Sequence, residues 1–434
     1  MTSVLNALKP GAADSKTARA AAKPDKRTGV LPTHGHLAVR PPTAAHLSDD
    51  DVERLGAELD AIRDEVLAER GAKDAAYVKR MVKIQRATEL AGRVCMIGSR
   101  SKIAWSAGVG LIALGKVLDN MELGHNVLHG QWDWMRDPDI HSTTWEWDFV
   151  APARGWQHTH NDLHHTWTNV IGKDRDVGYN ILRVSDDQPW KPRDLANPLV
   201  NLVLAPMFEW GIASYDIEWD QYKAGYKSRE AVMADIAALR DKAIAMVAKD
   251  YVATPLAAAT VGALVGKALG RPTNFRSTAL RALGGTVAAN ALRNVWAHAV
   301  IFCGHFPDGV DTFDERMIDG ETRGDWYIRQ MLGSANISGT RTFHTLTGNL
   351  SHQIEHHLFP DLPSNRYAEI SEQVQDIARR YGLSYVTGPL PKQVASAWWA
   401  IIRLSLPNEY AAKLERKPQN VTQLVQRQVQ PQAA

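Results

Sequence analysis

Residues 1–47 carry no apolar repeat and are rich in Ala, Lys, Pro and Gly, a composition that predicts a disordered tail. From Ser48, the run SDDDVERLGAELDAIRDEVLAERG begins with a capping residue and acids, then sets Val52, Leu55, Leu59, Ile62 and Val66 at helical spacing. It predicts an amphipathic surface helix. A second helical stretch over about 77–91 alternates basic residues with Met81, Val82 and Ile84, and fits either a helix lying along a membrane interface or a packed peripheral one. Residues 48–92 thus form an amphipathic N-terminal region ahead of a larger body over 93–385.

Within that body the apolar runs are few. The first, 103–118, is short for a span, which needs about 20 residues. Between 130 and 197 no apolar run exceeds a few residues, yet Trp132, Trp134, Trp145, Trp147, Trp156 and Trp167 crowd the section. Such tryptophans suit either a membrane interface or the aromatic floor of a soluble cap. Three more apolar runs follow at about 198–214, 251–266 and 282–303. The first is short and carries Glu209, so the expectation is a spanning hairpin of the last two. Both are rich in Gly and Ala, which suits close helix packing in lipid. Their connection carries Arg271 and Arg276, so charge asymmetry only partly orients the hairpin. Beyond it, two prolines in FPDLPSNR stop a helix, a polar helix follows over about 367–381, and a C-terminal cap segment over 386–415 includes a short helix near Trp398. Residues 416–434 read as a second disordered tail.

Composition narrows the class. The 50 basic and 48 acidic residues leave a net charge of +2, which gives no reason to expect nucleic acid. Cys95 and Cys303 are the only cysteines, so a disulfide framework and CxxC zinc sites are excluded and a reducing compartment fits. The first residues lack the continuous apolar core of a secretory signal. Mean hydropathy is slightly negative, but polar tails and charged helices dilute the apolar runs.

The chemistry lies in histidines. HQIEHH places His352, Gln353, Glu355, His356 and His357 together; HNDLHH places His160 four before His164 and five before His165; HNVLH sets His125 and His129 one turn apart. Neutral imidazole suits zinc, copper, iron and nickel. One zinc takes about four protein ligands, so eight or nine histidines fit a pair of metals. His34, His36 and His46 lie in the tail without such spacing and receive no role.

In this order, HNVLH, HNDLHH and HQIEHHLFP, with a helical hairpin between the second and third, resemble the membrane fatty-acid desaturase superfamily over roughly residues 90–385. QIEHHLFPDLPSNRY and GHNVLHGQWDW are most similar to the bacterial acyl-CoA or acyl-lipid desaturases, including those labelled linoleoyl-CoA desaturases. The resemblance implies an all-α fold: an integral membrane helical base under a helical cytosolic cap. It further implies a non-haem di-iron centre that inserts a double bond into a long-chain acyl substrate using dioxygen and two electrons. On it, His125, His129, His160, His164, His165, His356 and His357 are ligands. A further ligand is expected before the third box, with His305 the better candidate and His298 the lesser. In the third box His352 and Gln353 compete; imidazole chemistry favours His352. Glu122, Asp162, Asp174, Asp176 and Glu355 are candidates to hold the second nitrogen of a ligand, or else solvated charges.

No HPGG haem signature is present, so electrons are expected from a separate donor, a ferredoxin or a flavin reductase, docked at basic residues near the cap. Two other readings share parts of this pattern. A membrane hydroxylase or ketolase of lipids, alkanes or carotenoids would use the same ligands, since both reactions begin with the same C–H cleavage. A membrane metal-binding or transport protein without redox chemistry would carry its histidines inside the spans, whereas these lie mostly outside them.

Overall fold

The computed structural model describes residues 39–414. Its helices begin with α1 (Asp49–Glu69), α2 (Ala72–Ile97), α3 (Lys102–Val117), α4 (Asn197–Leu204), α5 (Phe208–Tyr215) and α6 (Arg229–Val247). They continue with α7 (Thr254–Ala268), α8 (Phe275–His305), α9 (Arg323–Leu332), α10 (Gln353–Leu358), α11 (Tyr367–Arg380) and α12 (Leu390–Leu404). Shorter turns join them. The all-α expectation needs one amendment: Ala335–Ser338 and Val386–Pro389 pair as parallel strands, in register Ala335 to Val386 through Ser338 to Pro389.

The capping box expected at Ser48 forms, with Ser48 Oγ accepting from Asp51 N and the Asp51 carboxylate accepting from Ser48 N. Val52, Leu55, Leu59, Ile62 and Val66 are buried, and this face shares a core with Tyr327, Ile328 and Met331 of α9 and Ile370 and Val374 of α11. Residues 39–47 differ from the expected tail. Ala44 and Leu47 are buried, Arg40 Nε donates to Asp325 at 2.9 Å, and Thr43 Oγ1 donates to Asp311 at 2.6 Å. An apolar pair and an anchored guanidinium suffice to pin a segment that shows no repeat. The rest of the proposed tails, including His34 and His36, lies outside the described residues.

α2 is a packed helix. Val78, Met81, Val82, Gly92 and Met96 are buried, and α2 runs along α3. Contact is close because glycines leave room: a Cβ on Gly92 would stand 2.7 Å from Ile112 N, and one on Gly115 2.9 Å from Glu89 Cβ. α7 and α8 form a hairpin that packs on α2 and α3. The run 198–214 is broken into α4 and α5 around Pro206, and Glu209 is buried in a 2.7 Å ion pair with Arg293 of α8. α6 continues through a wide π-helical turn into α7.

None of the described helices is long and apolar enough to cross a membrane. α8 spans 31 residues but carries Arg276, Arg281 and Arg293, and the buried Lys116 of α3 lies 2.9 Å from Asp148 and 2.7 Å from Asp250. Paired charges of this kind lower hydropathy while satisfying one another inside the bundle.

Candidate metal centre

α3 does not end at Val117. It widens into a π-helical turn over Leu118–His125 and closes with Asn126–Leu128, carrying the first histidine pair. The second box is built likewise: Gln157–His164 is π-helical, and His165–Trp167 follows as a single turn. Such wide turns concentrate at functional sites because they re-aim side chains that regular helical spacing would stack. The third box is α10, preceded by a tight turn in which Gly348 has φ +68°; a Cβ there would stand 2.2 Å from Met121 O. The Gly348 carbonyl accepts from Asn126 Nδ2 at 3.1 Å, tying the first box to the third.

Two groups of histidines result. His125, His129, His160 and His356 bring ring nitrogens within 4.8 Å of one another, and so do His164, His305 and His357. His165 stands between them, stacked on His357 with ring centroids 4.4 Å apart and edge-on to His129 at 4.6 Å.

One nitrogen of each of five rings is held from outside. His164 Nδ1 donates to Asp174 at 2.9 Å, His160 Nδ1 to Asp176 at 3.1 Å, and His357 Nδ1 to Gln330 Oε1 at 3.0 Å. His356 Nδ1 donates to the Tyr367 oxygen at 3.2 Å, and His125 Nδ1 to Asn126 Oδ1 at 3.2 Å. Other nitrogens meet no protein partner: Nε2 of His129, His160, His164, His356 and His357, and both nitrogens of His165, are buried without a hydrogen bond. Buried polar atoms are normally paired. A set of lone pairs converging in two groups, five of the rings fixed from behind, is a donor arrangement compatible with bound metal.

Electrostatics agree with that fit. Burial holds His125 down to about 4 and pushes His129, His160, His165, His305, His356 and His357 well below the usual imidazole range, so their lone pairs are free at neutral pH. His164 differs: burial opposes its charge, but the Asp174 and Asp176 carboxylates outweigh burial and raise it.

The remaining expected residues fall in different places. His352 is outside both groups; its ring faces His344 at 4.4 Å, and its Nδ1 lies 3.8 Å from Glu355. Gln353 instead reaches the centre, with Nε2 3.1 Å from His305 Nε2 and its buried Oε1 unpartnered. The preference for imidazole at this position is thus reversed in space, because His352 belongs to the turn before α10 and points the other way. His298 bonds Asn201 at 2.8 Å and stacks on Phe302, while His305 joins a metal group.

Asp174 and Asp176 meet ligand rings, whereas Asp162 is exposed beside His158 and touches none of the grouped histidines. Glu355 is buried against Asn336 and Tyr385. Glu122 accepts from Tyr77 at 2.7 Å and Asn349 at 2.9 Å, and burial pushes it up to about 8. Neither meets a grouped histidine. Asn126, Gln330 and Tyr367, which do, escaped sequence reasoning. Only Asn126 and Tyr367 lie inside quoted motifs, and Gln330 has no local signal.

A narrow internal cavity reaches the centre at His125, His160, His305 and Gln353. Its walls include Met121, Trp147, Phe149, Phe208, Ile212 and Ile301, and about 50 Å³ of it is wide enough to admit water.

A helical bundle that gathers two sets of buried imidazoles at the end of a partly apolar slot has the makings of a histidine metal site open to an apolar substrate. Residues 103–389 match the family described as Fatty acid desaturase. The chain is 47% identical over 367 residues to the NADPH-dependent stearoyl-CoA 9-desaturase of Mycobacterium tuberculosis, covering 84% of this chain and 83% of that one. It is 22% identical over 295 residues to the sn-1 linoleoyl-lipid 6-desaturase of Synechocystis, covering 65% of this chain and 75% of the other. The chain belongs to the fatty acid desaturase family and is an oxygen-dependent fatty acyl desaturase.

Proposed function

We propose that this enzyme inserts a cis double bond into the acyl chain of an acyl-CoA, with stearoyl-CoA and the bond between carbons nine and ten as the first substrate and position to test. The mycobacterial relative's name supports both. The observation that carries the reading is the convergence of partnerless Nε2 atoms at the end of an apolar cavity. His125, His129, His160 and His356 would hold one iron and His164, His305 and His357 the other, with His165 between them. Bound iron would supply the oxygen activation and C–H cleavage that no side chain provides.

The protein's own share is positioning and exclusion of water. Trp147, Phe149, Phe208 and Ile301 offer an acyl chain apolar contact and no hydrogen bond, so the chain is held by shape and burial. Asp174, Asp176, Gln330 and Tyr367 fix the ring planes and tautomers of their histidines. Gln353, at His305, offers a neutral amide where an added imidazole would complete the set.

A membrane-embedded base with the site on its cytoplasmic side remains our reading of the bundle. Its support is a belt of exposed apolar side chains on α4, α7 and α8: Leu199, Leu202, Val203, Leu256, Leu264, Leu280, Val287 and Leu292. Electrons come from a separate donor, and the relative's NADPH dependence favours a flavin reductase over a ferredoxin.

Fatty-acid profiling by mass spectrometry tests this, in cells expressing the chain with an NADPH-linked reductase beside the His356→Ala variant. A new monounsaturated acid that disappears with His356→Ala is expected. A new hydroxylated acid without an alkene would contradict it.

A further inference from the structure

We propose that Asp216 delivers protons to the acyl cavity during turnover, taking them from the side of Glu218. This rests on the desaturase reading above. Forming one alkene from a saturated chain consumes one dioxygen, two electrons from the donor and two protons; two C–H bonds break, one π bond forms, and both oxygen atoms leave as water. A narrow apolar slot cannot supply protons from bulk water, so a side chain must carry them in.

Asp216 stands just beyond α5 and lines the cavity with Thr159, Tyr215 and Asp176, beside His160. Thr159 Oγ1 donates to its Oδ1 at 2.8 Å, while Oδ2 is buried without a partner. The Tyr215 hydroxyl is buried on the same wall, beside Asp176. An unpaired, buried carboxyl oxygen on the wall of this narrow slot is costly unless a proton, a water or a substrate group meets it.

The other carboxyl on that wall, Asp176, is committed to His160 Nδ1, and Glu122 does not line the cavity. Outward lies Glu218, with its carboxylate 3.9 Å from Nε2 of the half-exposed His158, 3.6 Å from Arg175 Nε and 2.8 Å from Lys227 Nζ. Arg175 itself is turned to Asp220, at 2.5 and 2.7 Å.

The charged groups facing Asp216 are therefore Asp176, Glu218 and Arg175. Burial pushes Asp216 up to about 7; Thr159 pulls it down, the Asp176 and Glu218 carboxylates push it up, and Arg175 opposes them. A carboxyl poised there takes and releases protons at neutral pH.

The test uses the full-length, iron-loaded chain with its reductase and three variants: Asp216→Asn, Asp216→Glu and Thr159→Val. Infrared spectroscopy of the wild type is expected to show a buried protonated carboxyl that titrates near neutrality and is lost in Asp216→Asn, with or without metal. Asp216→Asn should slow turnover by about 100-fold or more at unchanged iron content, and Asp216→Glu should recover part of it. If Asp216→Asn fails to bind iron, Thr159→Val decides: losing the hydrogen bond that favours the carboxylate shifts the limb of the pH profile to higher pH. Wild-type rate and pH profile in Asp216→Asn, or an unshifted limb in Thr159→Val, overturns the inference. A wild-type chain that forms no alkene overturns the desaturase reading instead.

Discussion

The Tyr367 hydroxyl lies 3.2 Å from His356 Nδ1, and its oxygen also receives Gln131 Nε2 at 3.0 Å while its proton goes to Phe359 O at 3.1 Å. One phenol thus fixes the tautomer of a ring whose other nitrogen faces the cluster. Tyr367→Phe keeps the ring and removes all three bonds. Leaving buried groups unpaired costs about 1–3 kcal/mol, and losing an orienting partner weakens metal binding by about 10–100-fold. Thermal unfolding and iron titration of the variant should show both losses.

Asp174 is tied more tightly. Its Oδ2 accepts from His164 at 2.9 Å and from Asn169 N at 2.7 Å, and its Oδ1 accepts from Asp176 N at 2.8 Å. Asp174→Asn should lower iron affinity by about 10–100-fold. Asp162→Asn, on an exposed side chain beside His158, should leave affinity unchanged. Equal losses in the two variants would contradict the assignment.

His352 and His305 give a sharper contrast. His305→Ala removes a member of the second group and should release iron, whereas His352→Ala removes a ring packed on His344 and should retain the wild-type content. Metal analysis of the purified variants decides.

Acid should destabilise the metal-free protein through the same histidines. Unfolded imidazoles titrate near ~6.5, while burial holds His125 at about 4 and six other rings lower than usual. Between those values the unfolded chain binds more protons than the folded one, so stability falls as pH drops from about 6.5 towards 4 and is unaffected by these groups above that window. His164, raised by Asp174 and Asp176 against burial, works in the opposite sense and offsets a minor part. Denaturant unfolding of the apo-protein across pH measures the slope. Iron, binding only the folded state, should move the loss to lower pH.

Much of this was legible in the residues, because a box of histidines cannot be mistaken for a packing face and α1 shows its buried stripe openly. What was not legible has physical reasons. Helical spacing of i and i+4 anticipated that His125 and His129 share a face, but not that Leu118–His125 and Gln157–His164 wind as wide turns, which no side-chain pattern announces. His352 and Gln353 are adjacent in sequence and chemically ranked the wrong way round for space, since the turn at Gly348 decides which of them faces His305.

Gln330 sits on α9, a helix whose buried face includes Asp325, Arg329 and Gln330 and therefore hides from a hydrophobic repeat. α6 was missed for the converse reason, burying only Val232 and Met246. The apolar runs marked the right segments but not their ends; charges such as Lys116 and Arg293 are neutralised by partners far along the chain.

The account turns on a paired iron centre. The most direct measurement is Mössbauer spectroscopy with metal analysis on the full chain reconstituted with iron, beside His129→Ala and His305→Ala. A pair of coupled irons per chain in the wild type is predicted, with coupling lost in each variant. A single uncoupled iron in the wild type, or coupling that survives both substitutions, would contradict it.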